Sequence, residues 1–324
     1  MRRQIKDYMT LVAMLLLLSL LSPAARAQDD KKKEQPTGTP VLWQDPGDIS
    51  SKNLLEGPGG EEMKPDVSNL TFISEDASGF SYGMRVRDGA GKTWVVKLGK
   101  EAQPETSASR LLWAIGYVTE IHYLYPCVHV KGMPKSPAKS VPRCEGDGFA
   151  NARFEARPEG IKRLDEWTWA NNPFVGTKEM KGLIVMMALI NNWDLKDSNN
   201  KVIFVPASVT GGQDELHYIL SDLGATFGKT GGFLSRSRNA AKDYAKSKFV
   251  TGIQGNNVKF AYSGKNQALM NGITVEDARW VGGLLAKLSD RQIEDAFRAG
   301  NFTQDEVEML AQAVRRKIEE LNRL

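Results

Sequence analysis

The chain has 324 residues, 41% of them hydrophobic and 25% charged, with a formal net charge of +4. So small a net charge leaves no strong nucleic-acid footprint, and neither internal repeats nor heptads are present. The length suits one large domain or two lobes sharing a cleft.

Residues 1–27 begin with the basic stretch Met1-Arg2-Arg3-Gln4-Ile5-Lys6, continue into an apolar run from Leu11 to Leu21, and finish with Ala25-Arg26-Ala27. That is the layout of a secretory signal peptide cleaved after Ala27. The apolar run is too short for a spanning helix, which needs roughly 20 residues, so no stable transmembrane anchor is expected after cleavage. Export to a periplasmic or extracellular compartment follows as the expectation. Removing the segment takes away four basic residues and one acid, which lowers the formal charge from +4 to +1.

Residues 28–66 are rich in Asp, Lys, Glu, Pro and Gly, and are expected to be a disordered linker. Regular structure is expected from Val67. A strand starts at Leu70, a small-residue turn spans Ser78 to Gly83, and Met84-Arg85-Val86-Arg87 turns at Asp88-Gly89-Ala90-Gly91 into Thr93 to Leu98. A helix follows Pro104, with Glu105 and Ser107 near its start and Ala108, Leu111, Leu112 and Ile115 at helical spacing before Gly116 closes it. Ile121 to Val130 and Ala152 to Ala156 are read as strands, separated by a polar loop.

Glu179 to Asn191 is apolar almost all round, as a helix buried in a core must be. Val202 to Val205 and His217 to Leu220 are short strands, and Val275 to Leu324 is helical and amphipathic. The boundaries predicted are an N-terminal β-rich lobe over 67–165 and a mainly helical lobe over 166–324, an α+β layout with a cleft between. Met186 and Met187 are assigned to the core, and Trp167 and Trp169 to packing. The two cysteines, Cys127 and Cys144, are too few for a structural zinc site unaided, and the nearby His122 and His129 fit no zinc spacing. They form either a disulfide, which an exported protein permits, or two unpaired thiols.

The chemistry-bearing stretch is Asn191-Asn192-Trp193-Asp194-Leu195-Lys196-Asp197-Ser198-Asn199-Asn200. In the protein-kinase catalytic loop an aspartate is followed two residues later by lysine and five residues later by asparagine. Asp194, Lys196 and Asn199 keep that spacing. Ser221-Asp222-Leu223-Gly224 is similar to the Asp-Phe-Gly element, and Val95-Val96-Lys97 resembles the strand whose lysine reaches the nucleotide phosphates and a helix glutamate. Glu105 is the expected partner of Lys97, with Glu101 as the alternate. The turn Ser78 to Gly83 offers Gly79 and Gly83 to cover phosphates with backbone amides, two glycines in place of three. Taken singly, Asp194, Asp197, Asn199 and Asp222 each also suit an ordinary turn cap.

Together these residues resemble the protein-kinase-like superfamily over roughly residues 70–230. The chain looks closer to its atypical branches, such as HipA-type, CotH-type, phosphatidylinositol and secretory-pathway kinases, and to a group of exported bacterial proteins. The resemblance implies a two-lobed protein-kinase-like fold that binds ATP with Mg²⁺ or Mn²⁺. It further implies Asp194 as the base for an acceptor hydroxyl, Lys196 as support for the transferred phosphoryl group, Lys97 and Glu105 at the phosphates, and Asn199 and Asp222 as metal ligands. The expected partners are a nucleotide and a phosphate acceptor on a protein, lipid or small molecule. Asn192-Trp193 replaces the usual His-Arg before the aspartate, and no Ala-Pro-Glu element follows. A pseudokinase or an envelope scaffold is the alternative reading.

Overall fold

The structure, a computed structural model, describes residues 35–76, 81–134, 141–232 and 234–324. The signal-peptide reading of 1–27, the first part of the 28–66 linker and Gly79 lie outside the described residues. Residues 37–324 form one compact unit.

Among the described residues, twelve strands and seven α-helices build it. The strands are β1 Thr39–Val41, β2 Leu70–Asp76, β3 Tyr82–Arg87, β4 Thr93–Leu98, β5 His122–Val128, β6 Val130–Lys131, β7 Phe149–Ala156, β8 Lys162–Arg163, β9 Asn200–Val205, β10 Glu215–Leu220, β11 Val250–Gln254 and β12 Asn257–Phe260. The helices are α1 Ala102–Ala114, α2 Lys178–Leu189, α3 Ala207–Thr210, α4 Ala241–Ala245, α5 Val275–Leu285, α6 Asp290–Ala299 and α7 Gln304–Asn322.

A six-stranded sheet in the order β5-β7-β4-β3-β2-β6 occupies the N-terminal half and is antiparallel except at β2–β6. Side chains alternate across each strand, so one face gathers Met84, Val86, Trp94, Val96 and Phe154 into a core of its own. The opposite face carries Lys97 and Arg153, which stand side by side in register on β4 and β7. Helix α1 leads from β4 to β5 and ends at Gly116, whose φ of 101° only glycine adopts readily.

A second core lies among the helices. Val185, Met186, Met187, Leu189 and Ile190 of α2 and its end are fully buried there, along with the inner faces of α5, α6 and α7. Those last three helices start at Thr274, Ser289 and Thr303, each the N-cap of a complete capping box. A four-stranded sheet, β1-β10-β9-β8, carries the β9–β10 hairpin. The molecule is thus an α+β protein with a β-rich lobe and a helical C-terminal region. Because Lys162–Arg163 pairs with β9, the six-stranded lobe ends before the predicted boundary at 165.

The disordered linker predicted for 28–66 needs correction from residue 35 onward. β1 pairs in parallel with β10, and Leu42, Ile49 and Leu54 are buried in the helical core. Trp43 donates its Nε1 hydrogen to Ile115 O at 2.7 Å and packs edge-on against Trp280. Composition misleads here because a strap lying across a finished core needs few apolar residues. Every apolar residue just named is used, while most of the intervening polar residues face solvent or cap turns and Lys52 reaches Trp113. Trp167 and Trp169 are buried against each other, with ring centroids 5.1 Å apart, as packing requires.

Candidate active site

Helix α2 delivers the loop that carries Asp194. The helix ends at Ile190, and Asn191 takes a φ of 55°, a left-handed conformation that asparagine tolerates better than most residues. Lys317 on α7, fully buried, donates to Leu189 O at 2.8 Å and Asn191 Oδ1 at 3.1 Å, so the last helix clamps the exit of α2. Burial holds the Lys317 ammonium well below the usual lysine range, and its Nζ sits 4.0 Å from the Tyr244 ring centroid.

The loop then closes on itself. Asn192 Oδ1 accepts from Asp194 N at 3.1 Å, and Asn199 Nδ2 donates to Asp194 O at 2.6 Å. Asn199 O in turn accepts from Ser221 N at 2.8 Å, which sets Asp222 beside the loop. Segments separated by up to 28 positions are therefore locked together by hydrogen bonds onto backbone groups. The two carboxylates keep oxygens to offer: Asp194 Oδ2 meets Lys196 Nζ at 2.7 Å, and Asp222 Oδ1 accepts from Gly224 N at 3.2 Å, leaving its second oxygen. Asn199 spends its amide nitrogen on Asp194 O, which leaves the amide oxygen as a hard donor. One amide and one carboxylate oxygen of this kind fit Mg²⁺ or Mn²⁺, which take oxygen ligands. Gly224 is required where it stands, since a Cβ there would lie 2.5 Å from Glu101 Cβ.

The sheet brings a second group to the same place. Lys97 Nζ lies 3.4 Å from Asp76 Oδ2, and a Cβ at Gly83 would come 3.2 Å from that Nζ. The Glu105 carboxylate is buried and receives Arg153 Nη2 at 2.9 Å. Burial pushes the Glu105 carboxyl up to about 8; the charge of Arg153 opposes the rise, Asp222 and Glu155 add to it, and Lys97 opposes it. Glu105 is thus close enough to both Lys97 and Asp222 to feel their charges. The expected Lys97–Glu105 ion pair is nevertheless replaced by Glu105–Arg153, because Arg153 projects from the same sheet face in register with Lys97. The alternate, Glu101, accepts from Ser81 Oγ at 2.6 Å and pairs with Arg238.

Sequence reasoning missed Arg153 and the network around it. Arg153 Nη1 meets His122 Nε2 at 2.8 Å, and Glu155 takes Arg163 Nη1 at 3.1 Å and also pairs with Arg157. Glu120 pairs with Arg163. Burial first, and then the surrounding arginines, hold His122 well below the usual histidine range, so its ring is neutral. Glu105, Glu120 and His122 offer ligand atoms within 4.8 Å of one another. Arg153 bridges Glu105 and His122, however, and its guanidinium supplies the positive charge a metal would bring. The alternation Arg153-Phe154-Glu155 in a strand was the available signal, since period two puts both charges on one face.

No family model matches this chain, and no curated protein matches it. Among solved structures it is similar to one described as a Helicobacter pylori proinflammatory kinase, CtkA, at 11% identity and a TM-score of 0.46, covering 78% of this chain and 96% of that one.

Proposed function

We propose that this protein is an exported phosphotransferase that moves the γ-phosphoryl group of ATP to an acceptor hydroxyl. The observation that carries the reading is the hydrogen-bonded chain Asp194–Asn199–Ser221, which joins the catalytic-loop spacing to Asp222. Around it stand Lys97 on the third strand of an antiparallel sheet and Glu105 on the helix that follows, the order in which kinases place their phosphate lysine and its glutamate.

In this reading Asp194 orients the acceptor hydroxyl and takes its proton, while Lys196 steadies the transferred group. Lys97 reaches the phosphates, and Asn199 and Asp222 hold Mg²⁺ or Mn²⁺, which neutralises charge developing on the phosphate oxygens. Export is supported by the N-terminal residue pattern and by the Cys127–Cys144 disulfide, a bond that persists in oxidising compartments. The Glu105–Arg153 pair favours a second reading, a nucleotide-binding module without transfer, because it withholds the glutamate from Lys97.

Calorimetric titration with a nonhydrolysable ATP analogue and Mg²⁺ or Mn²⁺, with phosphate transfer measured in parallel, separates the two. Asp222→Asn should weaken metal-dependent nucleotide binding together with turnover. Asp194→Asn should spare binding and lower turnover by about 10²-fold or more. Binding without transfer in the wild type establishes the second reading, and absence of both sinks each of them.

A further inference from the structure

The segment after Asp222 is unlike the rest of the chain in charge. Between Leu223 and Lys265 stand eight lysines and arginines against one acid, Asp243, whose Oδ2 accepts from Ser237 Oγ at 2.6 Å on the same stretch. A run of cations is ordinarily a solvated face, but two of these are stacked on a buried ring beside the site. Arg236 and Arg238 hold their guanidinium carbons 4.0 and 4.8 Å from the ring centroid of Trp193, the residue next to Asp194. The indole is itself fixed: it is buried, and its Nε1 donates to Ser237 O at 2.9 Å between the two arginines. Trp193 O accepts from Lys265 N at 2.9 Å, which brings a further exposed lysine to the same wall.

Stacking holds both guanidiniums in place before anything binds, so little side-chain freedom remains to be lost on recognition. Arg238 already pairs with a carboxylate, that of Glu101. Its planar fork is thus aligned for such a group. Asp194 is recessed, with only 15% of its side chain exposed, so an acceptor hydroxyl must enter on a slender, flexible segment.

We infer that the acceptor of this site is an acidic peptide segment, whose carboxylates are held by Arg236 and Arg238 over Trp193 while a neighbouring hydroxyl reaches Asp194. The inference rests on the phosphotransfer reading for the fate of the hydroxyl, but the recognition itself needs no nucleotide. A flat anionic bilayer presents the same charge, yet the recess favours an extended chain over a planar surface.

The test is fluorescence anisotropy of a labelled peptide with serine flanked by Asp and Glu, titrated with the full chain at low salt. The same peptide with Asn and Gln in their place is the comparison. The acidic peptide should bind about 10-fold or more tightly than the neutral one, and the difference should collapse at about 0.5 M salt, where exposed charges are screened. R236Q/R238Q should abolish the preference, and R236K/R238K, which keeps charge but loses the planar fork, should restore only part of it. Equal binding of the two peptides overturns the inference, as does an undiminished preference in R236Q/R238Q. Capture by phosphatidylglycerol vesicles with no peptide preference also overturns it. If R236Q/R238Q fails to fold, full retention of the preference by R236K/R238K counts against the fork. Titration of an ATP analogue with Mg²⁺ on the same samples keeps the readings apart: peptide preference without nucleotide binding removes the phosphotransfer reading and leaves the recognition standing.

Discussion

Two polar regions meet in this molecule, and they are built on different principles. The loop site around Asp194, Asn199 and Asp222 is held by hydrogen bonds onto the backbone of short segments, which leaves carboxylate and amide oxygens partly exposed. The sheet network around Glu105, Arg153, His122 and Glu155 is held by side chains alone, all buried. Substitution in the first removes a reacting group while the frame survives. In the second each charge is tolerated only because of its neighbour, so the frame itself depends on the pairing.

Arg153→Met should have the largest consequence for the sheet network. Above about pH 8, where the Glu105 carboxyl is ionised, the substitution strands that charge without its partner, and breaking a buried pair in this way costs about 3–5 kcal/mol. Thermal or urea unfolding should register the loss; a variant as stable as wild type would mean that the network does not hold the sheet face together.

Next in size is the covalent tie on the edge of the same sheet. Cys127 and Cys144 are bonded across 17 positions, between β5 and the approach to β7. Replacing both with alanine should lower stability by about 3 kcal/mol in the chain-entropy account of a loop this long. Thiol titration of the denatured, unreduced wild-type protein should find no free sulfhydryl, and two titratable thiols would remove the tie.

A smaller effect comes from proton linkage at Glu105. Its folded-state carboxyl titrates at about 8, above the ordinary glutamate range, so the folded chain binds the proton more tightly than the unfolded one. The stabilisation is fully present below the ordinary range and is lost as pH rises through about 8. Glu105→Gln carries no titrating proton, so the difference in melting temperature between wild type and variant should shift across that window. A constant difference from pH 4 to 9 would show that burial does not govern this carboxyl.

The smallest effect belongs to the loop. Lys196 pairs with Asp194 at 2.7 Å, but nearly half of the lysine side chain is exposed. Lys196→Met should change stability by less than about 1 kcal/mol, as exposed pairs do. A larger loss would make the loop site structural and erase its contrast with the sheet.

The residue spacings already contained most of the loop site and much of the fold. Asp194, Lys196 and Asn199 are neighbours in the chain, so their spacing alone carried their association, and the near-continuous apolar run of α2 marked the core beneath them. Strands β2 to β5, β7, β9 and β10, helix α1 and the C-terminal helices announced themselves by period and by turn residues, which are local properties. Tertiary structure decided what depends on side chains from separate elements meeting. Arg153 claims Glu105 because β7 lies next to β4 in the sheet, a pairing no local spacing records. Residues 37–66 are ordered because β10 and the helical core give them a surface to cover, although their own composition reads as a linker. Lys317 reaches the exit of α2 across 128 positions, since a buried ammonium goes wherever carbonyl oxygens and ring faces replace its water.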